Sequence, residues 1–506
     1  MHGQHSGQHR LADLAGAAGD VLEDARGNGE VIISGLAYDS RTVRDGDLFF
    51  CVPGTVTDGH EFAPRAVSSG AAALCVERHL DLGVPEVITS DARVAMARMS
   101  AAFYSYPASQ LLMVGVTGTN GKTTTAFLLE SILRAAGRTP GLIGTIETRV
   151  GDKVSPGVRT TPESLDLQRL LAEMRLAGAD SLAMEVTSHA LRLARVEGIR
   201  FTAAAFTNLS QDHLDFHRDM EDYFAAKAGL FTTAHLEAGA SNIDDPYGRR
   251  LMESSEVSCT GFGVSPDAQV RAEDVSLGQR GSDFVIVVED VNGVTGKLPV
   301  STGLVGAFNV SNCLAAAATG LLAGIELDAI GEGLHSLRAV PGRFESIDLG
   351  QPFGVVVDYA HTPDSLDNVL QAARSLIGGD GRVVVVFGCG GDRDRQKRPL
   401  MGIAAAKLAD YVIVTSDNPR SEDPHAILDH ILEGVIGVRT EGPDAVMVDR
   451  REAIEHALTA ANAGDVVVIA GKGHETGQQF ADYSVPFDDR TVSREVLAGL
   501  GWGESG

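Results

Sequence analysis

Aromatic residues and positive charge are scarce in this chain of 506 residues. Aromatic residues make up 5% and tryptophan occurs once, whereas glycine occurs 58 times, a balance more usual in α/β enzymes than in β-sandwiches. Lys and Arg together number 42 against 68 Asp and Glu, so the net charge is −26. Such an acidic chain repels a phosphate backbone, and no basic patch stands out, so we expect no binding to nucleic acid.

Cysteines and long apolar runs are also few. The five cysteines are scattered without a C-x-x-C pair, which indicates neither a disulfide framework nor a zinc cage. Their positions are Cys51, Cys75, Cys259, Cys313 and Cys389. No uninterrupted apolar run approaches the roughly 18 residues of a membrane span, and the N-terminus lacks a signal-peptide apolar stretch. We therefore expect a cytoplasmic protein with no membrane span.

The length and the apolar pattern predict an α/β fold of three domains. About 150 residues per domain favours three, and a hydrophobic fraction of 44% allows a large core. Short apolar segments alternate with helix-like ones, and breaks at Tyr106-Pro107 and Val340-Pro341-Gly342 place the domains at residues 1–107, 108–341 and 342–506. In the third domain, four near-continuous Val/Ile runs predict a parallel sheet covered on both faces. The polar first ten residues are predicted to be disordered.

A glycine-rich turn between an apolar run and a helical segment predicts a nucleotide site. Glycines let the backbone wrap phosphates, and the N–H groups of a helix N-terminus face the anion. Lys122 is expected to neutralise the β- and γ-phosphates and Thr123 to bind Mg²⁺. Val116 stands where a strict Walker motif has glycine, so an ordinary glycine-rich turn is the alternative. The predicted ATP-binding residues of this loop are Gly118, Thr119, Asn120, Gly121, Lys122, Thr123 and Thr124.

From this loop, GTNGKTT, the sequence resembles the Mur ligase family. Further motifs follow in family order across nearly the whole chain: AYDSR, RTTP, MEVTSHAL, TNLSQDHLDFH, AAKAGLF, GAFNVSN, VPGRFE, DYAHTPDSL, FGCGGDRDRQKRP, DNPR and GKGHE. So many matches in order are far more specific than any one of them. The resemblance implies an N-terminal UDP-binding domain, a central P-loop-type ATPase domain and a C-terminal Rossmann-like domain that brings an amino acid.

The resemblance also implies a reaction. Members with these motifs are ATP-dependent amide ligases that add meso-2,6-diaminopimelate to the D-glutamate of UDP-N-acetylmuramoyl-L-alanyl-D-glutamate, through an acyl phosphate, in peptidoglycan precursor synthesis. A carboxylate is a poor electrophile, so amide formation needs this activation. Because the reacting partners are anionic, cations must gather where they meet. ATP and Mg²⁺ are the expected cofactors, and a monomer is expected.

Four residues are implied as metal ligands. Thr123, Glu185 and His213 would hold Mg²⁺, and Lys227 would be carbamylated by CO₂, which converts a cation into a carboxylate. Carbamylation requires a depressed lysine pKa, since only the neutral amine reacts. The alternatives are a surface charge for Glu185, a loop cap for His213 and a snorkelling side chain for Lys227.

Five more residues are implied around ATP. Asn309 and Asn312 would pair with the adenine, although Asn309 could instead be a helix N-cap. Arg343, Asp358 and His361 of the third domain would reach ATP and act in catalysis with Lys122 and Lys227. The alternative for Arg343 is a hinge salt bridge.

Two further groups are implied on the substrate side. The residues expected to bind the UDP-linked acceptor are Ser40, Arg41, Thr160, Thr161, Ser188 and Arg195. The residues expected to bind diaminopimelate are Arg393, Asp417, Asn418, Arg420, Gly471 and Glu475. Diaminopimelate is lysine with an added distal carboxylate, which Arg420 can hold in a bidentate contact, and Glu475 would take the distal ammonium.

Three alternatives stay open at this point. The same ligase could add L-lysine or another diamine; a folylpolyglutamate synthase is more distant, because it lacks the DNPR and MEVTSHAL pair. The chain could also be a scaffold with a degenerate ATP site. Intact Lys122, Glu185, His213 and Lys227 argue against the scaffold.

Overall fold

The computed structural model describes residues 8–54, 57–278, 281–377 and 379–503. Three α/β units follow one another along the chain, each around its own main sheet, which confirms the predicted fold class. The domain boundaries after residues 107 and 341 stay predictions. Residues 1–7 of the segment predicted to be disordered lie outside the described part, while His9 and Arg10 form a short strand, so the prediction was wrong there.

The first unit has a five-stranded sheet in the order β2-β7-β6-β5-β4 and a small pair, β1-β3. Its strands are β1 (His9–Arg10), β2 (Leu22–Arg26), β3 (Ile32–Ile33), β4 (Gly35–Ala37), β5 (Asp47–Phe50), β6 (Ala73–Val76) and β7 (Glu86–Thr89). Its helices are α1 (Leu11–Ala17), α2 (Ala63–Ser68) and α3 (Ala92–Phe103). β5, β6 and β7 are fully buried, because the sheet is covered on both faces.

The second unit is built on an eleven-stranded sheet in the order β11-β10-β9-β12-β8-β13-β14-β15-β16-β17-β18. Its strands are β8 (Leu112–Thr117), β9 (Pro140–Ile143), β10 (Glu147–Val150), β11 (Lys153–Pro156), β12 (Ser181–Glu185), β13 (Phe201–Phe206), β14 (Leu236–Asn242), β15 (Ser258–Gly263), β16 (Val270–Gly278), β17 (Gly281–Val291) and β18 (Val294–Thr302). Its helices are α4 (Lys122–Ala135), α5 (Ser164–Leu176), α6 (Ser188–Arg192), α7 (Met220–Ala228), α8 (Pro246–Ser254), α9 (Ala307–Leu322) and α10 (Leu327–Ser336). The strands from β9 to β16 in this order are parallel, and antiparallel pairs flank them.

The third unit has a six-stranded sheet in the order β19-β20-β24-β21-β22-β23. Its strands are β19 (Glu345–Ser346), β20 (Gly354–Asp358), β21 (Val383–Phe387), β22 (Tyr411–Thr415), β23 (Ala445–Met447), β24 (Val466–Ala470), β25 (Gly477–Gln479) and β26 (Ser484–Pro486). Its helices are α11 (Pro363–Ser375), α12 (Lys397–Leu408), α13 (Pro424–Ile436), α14 (Arg450–Ala460) and α15 (Asp489–Gly499). The four predicted Val/Ile runs are β20, β21, β22 and β24, and they are parallel as predicted.

Local sequence signals explain two turns near these elements. The Asn292-Gly293 turn joins β17 to β18 with positive φ at both residues, as the predicted hairpin requires. α9 begins at Ala307 with Gly306 as its N-cap, so the alternative of Asn309 as N-cap is wrong. Within the described residues no helix is long and apolar enough to cross a membrane.

Candidate active site

The glycine-rich loop lies at the carboxyl edge of the central sheet. Strands β12, β8 and β13 are parallel neighbours, so Glu185 at the end of β12, the loop after β8 and Thr207 after β13 meet there. Gly118 and Gly121 have φ of 143° and 86°. A Cβ on Gly118 would lie 1.9 Å from Thr207 Oγ1, and one on Gly121 would lie 2.3 Å from Asn312 Oδ1. The loop therefore needs glycine at both positions.

A cavity of about 360 Å³ opens over this loop and is walled by the second and third domains; we call it the nucleotide cavity. The predicted residues that line it are Thr119, Asn120, Gly121, Lys122, Thr123, Thr124, Thr160, Glu185, His213, Asn312, Arg343, Asp358 and His361. Asn309 does not line the cavity but lies directly behind Asn312, whose Nδ2 donates to Asn309 Oδ1 at 3.0 Å.

Two lysines lie against the loop, of which Lys227 is buried and Lys122 is half-buried. Lys122 Nζ donates to the carbonyls of Gly118 at 3.0 Å and Thr119 at 2.7 Å. Lys227 is 1% exposed; its Nζ donates to Gly118 at 2.7 Å and lies 4.6 Å from the centre of the Tyr223 ring. Burial lowers the pKa of both lysines, and the charge of Lys122 lowers that of Lys227 further. The snorkelling alternative for Lys227 is wrong, since its ammonium ends inside the protein.

Thr123 links the loop to two charged side chains. Its Oγ1 donates to Glu185 Oε2 at 3.1 Å and accepts from Arg343 Nη2 at 3.1 Å. Glu185 is 1% exposed, so the surface-charge alternative is wrong. His213 keeps 43% of its side-chain surface exposed, and it lines the nucleotide cavity. The cavity walls desolvate the imidazole and lower its pKa, while the charge of the adjacent Asp212 opposes this shift, so the neutral form that can bind a metal is favoured.

The predicted metal residues do not form a complete cage. No group of three or more His, Cys, Asp or Glu side chains in the described residues is placed to hold a metal ion. Thr123, Glu185 and His213 line the nucleotide cavity, whereas Lys227 lies behind the glycine-rich loop. A cation here would therefore take part of its coordination from phosphate oxygens, as Mg²⁺ commonly does at nucleotides.

Arg343 of the third domain contacts the glycine-rich loop of the second domain through Thr123. Its guanidinium carbon lies 4.5 Å from the centre of the Tyr359 ring, and this cation–π contact holds the side chain in place. Nε is buried without a hydrogen-bond partner among the described atoms, and no described ion pair involves Arg343. The hinge salt bridge is therefore wrong, and the free donor fits a phosphate in the cavity.

Asp358 and His361 flank Tyr359 on the same wall. The Asp358 carboxylate accepts from the backbone N–H of Phe344 at 2.6 Å and of Ala360 at 2.7 Å, so it holds the start of the third domain. Burial raises the pKa of Asp358 to about 6. His361 Nδ1 lies 2.8 Å from the Tyr359 carbonyl, which makes Nδ1 the donor and leaves Nε2 as an acceptor; burial lowers its pKa to about 4.

A second cavity of about 400 Å³ adjoins the first and is called the amino-acid cavity. The two cavities share Asp212, His213, Tyr359 and His361 as walls. All six residues predicted to bind diaminopimelate line it, namely Arg393, Asp417, Asn418, Arg420, Gly471 and Glu475. They come from the loops after β21, β22 and β24, where the carboxyl ends of parallel strands meet.

Sequence reasoning missed Lys472, which organises one wall of the amino-acid cavity. Lys472 is fully buried, and its Nζ donates to Asn418 Oδ1 at 3.0 Å, Glu475 Oε2 at 2.9 Å and the Gly477 carbonyl at 2.7 Å. Asn418 Nδ2 also donates to Glu475 Oε2 at 2.7 Å. The signal was present, because Lys472 is part of the GKGHE motif.

The two predicted arginines of this cavity have only neutral partners. Arg420 adopts φ 52°; its Nη1 donates to the Gly391 carbonyl at 2.7 Å and its Nε to Gln479 Oε1 at 3.1 Å. Arg393 is exposed and donates to the Asp392 carbonyl at 3.0 Å. Neither is paired with a carboxylate in the described residues, so both can accept one from a ligand.

Four of the predicted acceptor residues lie together beside β12. Thr161 Oγ1 donates to the Glu185 carbonyl at 2.8 Å, and Arg195 donates to the Thr161 carbonyl at 3.1 Å and pairs with Glu163 at 2.7 Å. Thr160 lines the nucleotide cavity, and Ser188 Oγ lies 2.9 Å from the Nε2 of a buried histidine. Hydroxyls and an arginine are thus placed next to the loop that would hold the γ-phosphate.

The first domain contributes less to these cavities. Ser40 is buried within it, while Arg41 is exposed and pairs with Asp39, and neither residue lines the nucleotide or the amino-acid cavity. The domain contacts the central one through Tyr38 Oη, which donates to Asp166 Oδ2 at 2.6 Å.

Two further residues hold the glycine-rich loop and were not predicted. Asn208 Oδ1 accepts from the Asn120 N–H at 2.9 Å, and Asp364 Oδ2 of the third domain accepts from Asn120 Nδ2 at 2.6 Å. Both belong to motifs already noted, TNLSQDHLDFH and DYAHTPDSL, but only the fold reveals that they meet at Asn120.

The fold and this pair of cavities define a ligase-type ATP-binding architecture, and family comparison agrees. Residues 32–104 match the Mur ligase family catalytic domain, residues 116–320 the Mur ligase middle domain, and residues 342–473 the Mur ligase glutamate ligase domain. The chain belongs to the Mur ligase family.

Full-length relatives of this chain at about 45% identity share one name. A UDP-N-acetylmuramoyl-L-alanyl-D-glutamate--2,6-diaminopimelate ligase of Syntrophomonas wolfei is 46% identical, over 92% of this chain and 95% of that protein. One of Streptomyces avermitilis is 45% identical over 96% of both chains. A solved structure of a ligase with that name is 31% identical, with a TM-score of 0.69, over 98% of this chain and 100% of the other.

Proposed function

We propose that this chain is an ATP-dependent ligase that adds meso-diaminopimelate to the D-glutamate of UDP-N-acetylmuramoyl-L-alanyl-D-glutamate in peptidoglycan precursor synthesis. The observation that carries the proposal is the junction of the two cavities. A nucleotide loop opens into a second cavity that all six predicted diaminopimelate residues line. Relatives at about 45% identity over nearly the full chain support the same reaction.

The geometry suits the two chemical steps. An oxygen of the acceptor carboxylate bonds to the γ-phosphorus of ATP as the bond to ADP breaks. The amine of diaminopimelate then bonds to the acyl carbon, and phosphate leaves. Lys122 and Arg343 converge on the loop where phosphate charge must be neutralised, and the unpartnered Arg343 Nε supplies a free donor.

The amine has a short path to the acyl phosphate. Tyr359 and His361 belong to both cavities, so a ligand in the amino-acid cavity abuts the nucleotide cavity across them. His361 Nε2, as an acceptor, can receive a hydrogen bond from the incoming amine and so orient it. A hydrogen bond from Asn120 to Asp364 joins the second domain to the third beside the nucleotide cavity.

The residues present also fit a divalent cation. Thr123, Glu185 and His213 are the residues that would hold Mg²⁺. A carbamylated Lys227 as a further ligand stays a prediction, because this side chain lies behind the loop and donates to Gly118. When bound, the cation would neutralise phosphate charge during transfer. Asn312 would face the adenine, and Thr160, Thr161, Ser188 and Arg195 would bind the peptide of the acceptor. Binding of UDP at Ser40 and Arg41, and a cytoplasmic monomer, stay predictions.

The experiment is mass analysis of the product formed from UDP-N-acetylmuramoyl-L-alanyl-D-glutamate, ATP and an equimolar mixture of meso-diaminopimelate, L-lysine and L-glutamate. The expected product contains diaminopimelate alone, and phosphate release depends on that amino acid. A lysine-containing product would assign the lysine-adding activity instead. Absence of any ligated product in the presence of bound ATP would favour the scaffold.

A further inference from the structure

Lys397 is a buried cation on the wall of the amino-acid cavity. It is the first residue of α12, it is 9% exposed, and it lines the amino-acid cavity. No hydrogen bond or ion pair of its ammonium occurs among the described residues. Other buried cations of the third domain have carboxylate partners: Arg398 pairs with Glu422 at 2.8 Å and Lys472 with Glu475 at 2.9 Å. An unpaired buried charge is unfavourable unless a ligand brings the opposite charge.

Lys397 lies beside the wall that the amino-acid cavity shares with the nucleotide cavity. His361 lies just before α11 and Lys397 begins α12, and these two helices pack against each other. Both helices follow parallel strands, so they start at the same edge of the sheet, and His361 and Lys397 line the same cavity. His361 belongs to the wall shared with the nucleotide cavity, and burial lowers its pKa, an effect to which the charge of Lys397 adds. Lys397 therefore lies at the end of the amino-acid cavity where the amine must meet the acyl phosphate. Arg420, by contrast, is tied to Gly391 and to Gln479 on the antiparallel pair β25-β26.

We propose that Lys397 binds the carboxylate adjacent to the attacking amine of the incoming amino acid. This rests on the proposed function, in which a diamino acid with a carboxylate at each end enters the cavity. The reacting amine and its neighbouring carboxylate share one carbon, so the cation that holds this carboxylate must lie beside the shared wall. Lys397 satisfies that condition, and Arg420 remains for the distal carboxylate.

This assignment fixes the orientation of the ligand in the amino-acid cavity. With the buried Lys397 at the reacting end and Arg420 at the distal end, each carboxylate of the ligand meets a different cation, and the exposed Arg393 is a third cation of the same cavity. Lys397 then serves the part common to every α-amino acid, whereas Arg420 serves the part that distinguishes diaminopimelate from lysine. Lys397 is thus a substrate-binding residue for the reacting end, and it fixes which amine reacts.

The test uses the full-length enzyme and two matched variants of α12. Lys397→Met keeps the length of the side chain and removes its charge, and Lys407→Met does the same at an exposed position of the same helix. Steady-state phosphate release gives KM and kcat for each substrate. We expect KM for diaminopimelate to rise about 10²-fold in Lys397→Met, since one member of a buried charge pair is lost. KM for ATP and for the acceptor should stay near wild type, and Lys407→Met should match wild type throughout.

Two further measurements separate ligand binding from a structural role. The Tm of ligand-free Lys397→Met should equal or exceed that of wild type, because an uncompensated buried charge has been removed. An analogue of diaminopimelate with hydrogen in place of the carboxylate beside the reacting amine should be a poor substrate for wild type. Lys397→Met should use the analogue and diaminopimelate almost equally. If the Met variant does not fold, Lys397→Gln replaces it in each measurement.

The outcomes are distinguishable from failure of the proposed function. An unchanged KM for diaminopimelate in Lys397→Met, or wild-type discrimination against the analogue retained in that variant, overturns the inference while the ligase activity stands. A lower Tm with unchanged KM assigns Lys397 a structural role and also overturns it. A wild-type enzyme that does not use diaminopimelate overturns the proposed function, and the inference with it.

Discussion

At the scale of single residues, Lys227 combines complete burial with a neighbouring cation, Lys122. Both effects lower its pKa, so the amine is held in the neutral form that reacts with CO₂. We predict that Lys227 is carbamylated in the active enzyme. Lys227→Ala should lose activity by at least about 10²-fold, as when an electrostatic stabiliser is removed. Added acetate or formate should restore part of the rate by supplying a carboxylate.

The exposed Lys153 of β11 provides the control for this prediction. Lys153→Ala should keep wild-type activity and show no response to acetate or formate. An unmodified Lys227 in a high-resolution structure of a fully active preparation near neutral pH would rule out carbamylation.

Arg420 is predicted to decide between diaminopimelate and lysine. Its guanidinium has only a backbone carbonyl and Gln479 as partners, so it is free to bind a distal carboxylate. A ligand without that carboxylate leaves the arginine desolvated, which predicts discrimination of roughly 10² to 10⁴ in kcat/KM. Arg420→Ala should cripple use of diaminopimelate and change lysine turnover much less. Arg420→Lys should rescue little, because a point charge cannot make the two-pronged contact.

The measurement is phosphate release with both amino acids on wild type and both variants. KM for ATP and for the acceptor serves as the internal control and should stay near wild type. Efficient use of lysine by the wild-type enzyme would contradict this prediction at once.

At the scale of elements, the sequence predicts buried strands well and exposed strands poorly. The Val/Ile runs of β20, β21, β22 and β24 are continuous because both faces of the sheet are covered, and they were predicted. β2, with the sequence LEDAR, and β11, with KVSP, are mostly exposed and carry no apolar alternation. β2 is a strand because it pairs with β7, and β11 because it pairs with β10. The local sequence of β2 or β11 does not predict this pairing.

The link between the second and third domains gives an element-scale prediction. Gly342 has φ 62°, and a Cβ there would lie 2.1 Å from the backbone nitrogen of His474 in the GKGHE loop. Gly342→Ala must therefore move the link away from that loop, besides a backbone strain of about 1–3 kcal/mol. We predict a lower Tm and a loss of ligase activity of at least about 10-fold, since a small displacement of Arg343 misplaces a catalytic charge.

Gly350 is the matched control for the link. It also has positive φ, at 89°, but nothing lies within 4 Å of its Cβ position. Gly350→Ala should show the backbone strain alone and keep its activity. Equal activity losses in the two variants, measured by phosphate release beside thermal unfolding, would contradict a special role for the Gly342 link.

At the scale of the whole molecule, the candidate site joins chain segments far apart in sequence. Motifs indicated which residues carry the chemistry, and most of them line one of two adjoining cavities. The resemblance implied that Arg343 reaches ATP, but the motifs could not indicate its contact with Thr123 or the contact of Asp364 with Asn120, because such contacts depend on how two domains pack. Lys397 and Lys472 were missed for the same reason: burial and partners decide their roles.

The domain junction also predicts how stability depends on pH. His361 is half-buried in the wall shared by the two cavities, and desolvation there lowers its pKa from 6.5 to about 4. Between these values the unfolded chain binds a proton at this histidine and the folded chain does not. Its contribution to stability is therefore complete above pH 6.5 and is lost as the pH falls toward 4. Asp358 acts in the opposite sense, because its raised pKa makes the folded chain the better proton binder as the pH falls through 6.

Comparing variants isolates the histidine from these opposing groups. We predict that the Tm of wild type falls more steeply than that of His361→Gln as the pH is lowered from 6.5 to 4. The difference in the free energy of unfolding should approach, at most, ~1.4 kcal/mol per pH unit, the value for one proton. His425→Gln, which removes an exposed histidine of α13, should keep the wild-type slope. Thermal unfolding across this pH range tests the prediction, and equal slopes for wild type and His361→Gln would show that His361 titrates alike in the folded and unfolded chain.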